Sequence, residues 1–241
     1  MPTSRTTNLT HSAQDEAQSD YLGARLQPAR RNFGKQVLFA GAGLLLPWQV
    51  LARERQIHIL RGNVKINGVK ATQDSSINPG DVVTAGADGY IVFVAGTSAF
   101  MLRSRSEVLI EAPKAKSDFG FGFLKLVSGA LGATFRTGTP VRLRTLNATI
   151  GIRGTGIYME TRGEGTYFCT CWGKTELNVN DAPMQREWIE STRHNPRLIG
   201  YKPDANGAYI LAAPFETHTD DEMDMLEECV GRRAPWVKKS R

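Results

Sequence analysis

Asn147-Ala148-Thr149-Ile150-Gly151-Ile152-Arg153-Gly154-Thr155-Gly156-Ile157-Tyr158 decides how the chain is read. β-Branched and small residues alternate through it with the period of a strand, and Gly154 and Gly156 interrupt the run where the backbone can bend or take positive φ. No helix start accompanies these glycines, so they make no phosphate-binding loop. The stretch reads as a tight turn between two strands.

On either side the same grammar repeats. Residues 56–61, 63–66, 69–73, 81–85, 90–95, 98–102 and 107–111 are short runs rich in Val, Ile, Tyr and Phe, separated by turn residues. Asn67-Gly68 is a hairpin signal, because both positions accept positive φ. Residues 130–136, 141–146, 158–161, 166–170 and 176–179 continue the series. Phe119, Phe121 and Phe123 share one strand face opposite glycines and read as a core row. Arg142 and Arg144 read as a solvated face, and Arg153 as a packed stem whose head satisfies carbonyls or a carboxylate. Many short strands with no helix between them predict an all-β fold.

The two ends differ from this core. Residues 1–29 are rich in Ser, Thr and Gln and poor in large apolar residues, the composition of a disordered tail. Arg30-Arg31-Asn32-Phe33-Gly34-Lys35 then precedes an apolar run from Val37 to Leu46, and Val50-Leu51-Ala52 offers the small or apolar residues a signal peptidase reads. Residues 30–52 are similar to a twin-arginine export signal, with Arg30, Arg31, Phe33, Lys35 and Ala52 as its signal residues. The alternative is an uncleaved inner-membrane anchor, although the run is shorter than the ~20 apolar residues of a spanning helix. Either way the bulk of the chain is expected in the periplasm. The net charge of +6 is spread rather than gathered into a basic stripe with aromatics, which argues against nucleic acid.

Beyond residue 180 come a segment at 184–189 that is ambiguous between strand and helix, a strand at 198–201 and one clear helix. Thr219 caps it with Glu222 three residues on, Gly231 stops it, and Met223, Leu226 and Val230 form its apolar stripe. Residues 181–241 are too loop-rich for their own core and are expected to pack on a β domain at 53–180.

The motifs of that β domain resemble the FecR domain of bacterial envelope proteins. They are Gly62-Asn63-Val64, Gly80-Asp81-Val82-Val83-Thr84, the Arg153-Gly154-Thr155 centre and the closing Gly173 strand. The resemblance implies stacked short strands, solenoid-like, where turn spacing alone leaves a sandwich as the alternative. It further implies a non-enzymatic periplasmic module for signalling or protein interaction, with another envelope protein, such as an outer-membrane receptor, as partner. Only 29 residues precede the twin arginines, too few for the family's usual sigma-factor-binding domain, so the carry-over stops at the β domain and its motif residues Gly80, Asp81, Thr84, Arg153, Gly154 and Thr155.

Chemistry-bearing residues are few. There is no metalloprotease, haem-attachment or nucleophile-elbow motif. Cys169 and Cys171 sit at i and i+2, so on a strand both thiols face the same side. Three outcomes stand open: a disulfide within the pair or to Cys229, free buried thiols, or a zinc or copper site completed by His194 and His218. The rival functions are accordingly a metal- or redox-active periplasmic binding protein and a glycan-binding envelope module.

Overall fold

The computed structural model describes residues 56–111, 123–138 and 140–237. Arg30, Arg31, Phe33, Lys35 and Ala52 of the leader, and Phe119 and Phe121 of the aromatic row, lie outside the described residues. Among the described residues the fold is all-β with a single helix near the C-terminus. Its strands are β1 (Ile57–Arg61), β2 (Val64–Ile66), β3 (Val69–Lys70), β4 (Val82–Ala85), β5 (Tyr90–Ala95), β6 (Ser98–Leu102), β7 (Ser106–Glu111), β8 (Phe123–Ser128), β9 (Ala130–Thr134), β10 (Pro140–Arg144), β11 (Ala148–Thr161), β12 (Gly165–Val179), β13 (Arg186–Ser191), β14 (Asn195–Gly200) and β15 (Ile210–Ala212), followed by α1 (Asp220–Cys229).

All fifteen strands join one sheet that curls into a half-barrel, in the order β1-β5-β6-β9-β11-β10-β8-β7-β4-β2-β3, with β12 carrying β13, β14 and β15. Every pairing is antiparallel except β8 with β10. A single continuous sheet, rather than two facing ones, follows from the length of β11 and β12, which run 14 and 15 residues.

The stretch around Gly154 is therefore no turn between strands. It is a bulge inside β11, where the register against β12 shifts between Arg153 and Gly156. On one side of the bulge β11 pairs with β10, on the other with β9. β12 makes the matching exchange, from β14 to β13, at Gly173. The bend thus lets one hairpin serve two wings of the sheet. Gly154 has φ 66°, and a Cβ there would lie 2.3 Å from Thr137 Cα. A side chain at Gly156 would meet the Trp172 ring at 2.2 Å. The two glycines admit the neighbouring chain and ring respectively.

Gly80, Asp81 and Thr84 also prove structural. Gly80 takes φ 98° in its turn. Asp81 accepts from the Asn78 backbone N–H at 2.7 Å and from Asn67 Nδ2 at 2.7 Å, tying that turn to the Asn67-Gly68 hairpin. Thr84 pairs across the ladder with Lys65 and Glu107. Arg153, expected to satisfy carbonyls or a carboxylate, instead lies exposed with its guanidinium 5.6 Å from the centre of the Trp188 ring. A flat cation over an indole is held by the ring quadrupole, so it needs no carboxylate.

Side chains alternate between two buried layers. Ile91, Phe93, Phe100, Leu102, Ile157, Met159 and Phe168 fill the main core, while Val92, Ala99, Met101, Tyr158, Tyr167, Cys169 and Cys171 face the other way. Strands buried on both faces need a second cover, and the C-terminal segment supplies it. Met223 and Leu226 of α1 close over this second layer with Ala234, and Trp236 packs edge-on to Trp172 at 5.0 Å. The third residue of the expected stripe, Val230, is the C-cap and only half-buried. In its place Glu227 is buried, bonded to Thr134 and paired with Arg232 at 2.7 Å.

The helix ends are as the sequence requires. Thr219 and Glu222 form the capping box. At the other end Gly231 takes φ 68°, its N–H reaching Glu228 O and the Arg232 N–H reaching Glu227 O, which is a Schellman motif. Thr219→Ala removes the acceptor of the Glu222 N–H, and should cost about 1 kcal/mol of stability in denaturant unfolding.

Candidate metal centre

The site forms where the two long strands bend. β13 pairs with the Gly173–Asn178 half of β12 and β14 with the Gly165–Thr170 half, so the connection between them runs along the same edge of β12, beside Cys171 and Trp172. His194 stands in that connection with φ 44°, its backbone N–H donating to Cys171 O at 2.8 Å. Cys169 and Cys171 share the outer face of β12, as their spacing requires, and both are fully buried. His218 arrives from the cover, in the turn before α1, and stacks on the Tyr158 ring at 4.4 Å. Tyr158 is the residue opposite Cys169 in the β11–β12 ladder.

Four ligand-type atoms converge. Cys169 Sγ lies 3.7 Å from His194 Nδ1, Cys171 Sγ lies 3.4 Å from His218 Nε2, and the two ring nitrogens are 3.3 Å apart. All four lie within 4.8 Å of one another. One tetrahedral ion, with metal–sulfur bonds near 2.3 Å and metal–nitrogen bonds near 2.0–2.1 Å, needs edges of roughly 3.3–3.8 Å. A two-iron cluster would hold its cysteine and histidine pairs on different irons and so farther apart.

The far side of each imidazole is also engaged. His194 Nε2 donates to Asp220 Oδ1 at 2.6 Å, and His218 Nδ1 donates to Glu216 O at 3.0 Å. Each acceptor keeps the proton on that nitrogen, so the lone pairs of His194 Nδ1 and His218 Nε2 point at the cluster. Asp220 is further held by Arg193. The ring of half-exposed Phe215 stacks on His194 at 4.0 Å and roofs the site.

Electrostatics inside the cluster are divided. Cys169 is pulled below the usual thiol range, first by the hydrogen bond from the Cys171 thiol and then, against the cost of burial, by His194 and His218. Cys171 is pushed well up, by burial and then by its bond to and the charge of Cys169. Burial would lower His194, but its bonds to Cys169 and Asp220 outweigh that and raise it. Burial opposes the shift of Asp220 too, yet His194 and Arg193 hold it below the ordinary carboxylate range.

A thiol, an imidazole and a carboxylate in series, as in Cys169, His194 and Asp220, also have the order of an activated nucleophile. The full burial of Cys169 suits a closed four-ligand shell. Cys169, Cys171 and Cys229 are free thiols, so neither of the expected disulfide pairings forms. The two neighbouring thiols turn toward the imidazoles, as the short sulfur–nitrogen distances show. His194 and His218 belong with them as the sequence suggested, but Asp220, Glu216, Tyr158 and Phe215 were not singled out. Only Asp220 carried a signal, its place in the first turn of the helix.

No family model matches the chain, and no curated protein matches it. The FecR resemblance accordingly rests on the motifs quoted above. Among solved structures, the chain is similar to two crystal structures of a "putative anti-sigma factor" from Parabacteroides distasonis ATCC 8503, at 1.65 and 2.50 Å resolution. Each shares 14% identity with it at a TM-score of 0.43, over 56% of this chain and 60% of the other. The match thus spans about three fifths of the length of those structures.

Proposed function

We propose that the chain is a non-enzymatic β module that binds one zinc-class cation through Cys169 Sγ, Cys171 Sγ, His194 Nδ1 and His218 Nε2. The observation that carries this reading is the convergence of four donor atoms whose imidazoles are each oriented by an acceptor on the opposite nitrogen. Two sulfurs and two nitrogens favour zinc over magnesium or calcium, and copper(I) is the competing soft ion. The shell has no open position, so the ion's role is structural: it ties β12, the β13–β14 connection and the C-terminal cover together.

The test is metal content and geometry together. Purified chain should carry about one zinc per molecule by elemental analysis. Exchange into cobalt should give the thiolate charge-transfer and intense visible bands of a tetrahedral sulfur-ligated ion. Metal-free protein that takes up neither ion would sink the reading. Asp220→Ala deprives His194 of its orienting carboxylate while leaving all four ligands, and should weaken zinc binding by about 10–100-fold in a chelator competition.

The setting proposed for this module is the periplasm, with another envelope protein as partner, as the FecR-like motifs imply. Among the described residues no helix is long and apolar enough to cross a membrane. The twin-arginine route carries folded cargo, which would let the ion bind before export. Changing both Arg30 and Arg31 to Lys should leave the chain in the cytoplasm on fractionation, and export of the double variant at the normal level would exclude that route. A mature N-terminus near Arg53 is the further expectation, whereas full-length chain in the membrane fraction would favour the anchor.

A further inference from the structure

The four ligands are buried so deeply that no ion reaches them without something moving. Cys169 and Cys171 are 0% exposed and His218 4%, and the His194 side chain is 6% exposed. β12 cannot yield: it is paired along its length to β11 on one side and to β13 and β14 on the other. His194 is fastened to β12 by its own backbone. The remaining ligand, His218, belongs to the C-terminal cover, which pairs with no strand and is held by side-chain packing and ion pairs.

The cover also carries a mark of tension beside its ligand. Thr217, next to His218, is β-branched yet has φ 66°. Such a conformation persists only where the surroundings over-determine it. Here those surroundings are the His218 stack on Tyr158, the His194–Asp220 bond and the seat of α1, where Leu226 lies against Gly132 in one apolar cluster with Met101. Glu222 adds an ion pair to Arg103 at 2.5 Å, and that guanidinium lies over the same Tyr158 ring.

We infer that the C-terminal cover is the gate of the metal centre: residues 215–237 lift as a unit from the outer face of β5, β6, β9 and β11 to let the ion in or out, and the seating of α1 sets the rate. This rests on the zinc reading above. Opening exposes the ligands without disturbing the main core, which lies on the opposite face of the sheet. Such a sub-global opening can be far cheaper than unfolding.

Zinc-loaded full chain, mixed with an excess of a chromogenic chelator, reports the release rate directly. Leu226→Ala loosens the seat of the cover without touching a ligand, and should speed release by at least about tenfold. Glu222→Gln, a milder change that keeps the helix cap, should speed it a few-fold. Leu143→Ala removes a comparable side chain from the main core on the other face, and its release rate should stay at the wild-type value. Both cover variants should still bind one ion per chain. A wild-type rate in Leu226→Ala and Glu222→Gln, or an equal acceleration in Leu143→Ala, would overturn the gate while leaving the centre standing. A wild-type chain that takes up no zinc removes the centre and its gate together.

Discussion

Replacing Cys169 and Cys171 together by Ser is expected to take the zinc content from about one per chain to none and to lower the melting temperature by roughly 8–16 °C. The argument is linkage. An ion that binds only the folded chain, at a free concentration about a thousandfold above its Kd, adds about 4 kcal/mol. For a chain of this size each kcal/mol is worth about 2–4 °C. Serine is smaller than cysteine and buries a hydroxyl in an apolar layer, so the double variant should melt at or somewhat below the chelated wild type. A strong chelator should therefore lower the melting temperature of the wild type towards that of the double variant and leave the variant itself unmoved. Equal melting temperatures for wild type, chelated wild type and variant would show that no ion contributes to the fold.

Gly154→Val should be among the more damaging single changes outside the centre. Two costs add there: a β-branched residue forced to φ 66°, and a Cβ set 2.3 Å from the backbone of Thr137. Strain at such a position costs about 1–3 kcal/mol, and the clash with backbone takes the total to about 3 kcal/mol or more. That corresponds to a melting temperature lower by at least about 6–12 °C. Gly156→Ala is the useful companion, because Gly156 has no positive φ and its substitution tests space against Trp172 alone. A Gly154→Val chain that melts with the wild type would mean that the bulge does not organise the sheet.

The two sets of variants meet in one place. The bulge that lets β11 change neighbours is matched by the bend of β12 at Gly173, and a Cβ at Gly173 would lie 2.5 Å from Gly154 O. That same bend opens the interval in which His194 sits against the edge of β12. The residues that shape the sheet and those that shape the site are thus mechanically joined, and a variant at Gly154 should also weaken metal retention.

Period-two alternation was enough to place most strands, because a half-buried strand must put apolar side chains on one face whatever lies beyond it. Residues 90–95 and 98–102 carry their limits locally and fold with those limits. The helix was equally local: its cap, stop and acidic first turn are all read within a dozen residues. The same alternation put Cys169 and Cys171 on one face. What local pattern could not decide was continuity. Gly154 and Gly173 look like turn glycines, and whether a glycine ends a strand or bends it depends on partners such as Thr137 and Thr155, which lie across the sheet. β15 (Ile210–Ala212) escaped for a related reason, three residues being too few to show a period. The surroundings of the centre were hidden by distance along the chain. Cys169 and His218 are 49 residues apart in sequence, and they meet because the second buried face of β5, β6, β9, β11 and β12 must be covered, which draws α1 and the turn before it onto the thiols. The residue types of the site were legible in the sequence. Their convergence, the carboxylate behind His194 and the Tyr158 ring under His218 belong to the tertiary structure, because burial of that second face is a property of the whole sheet.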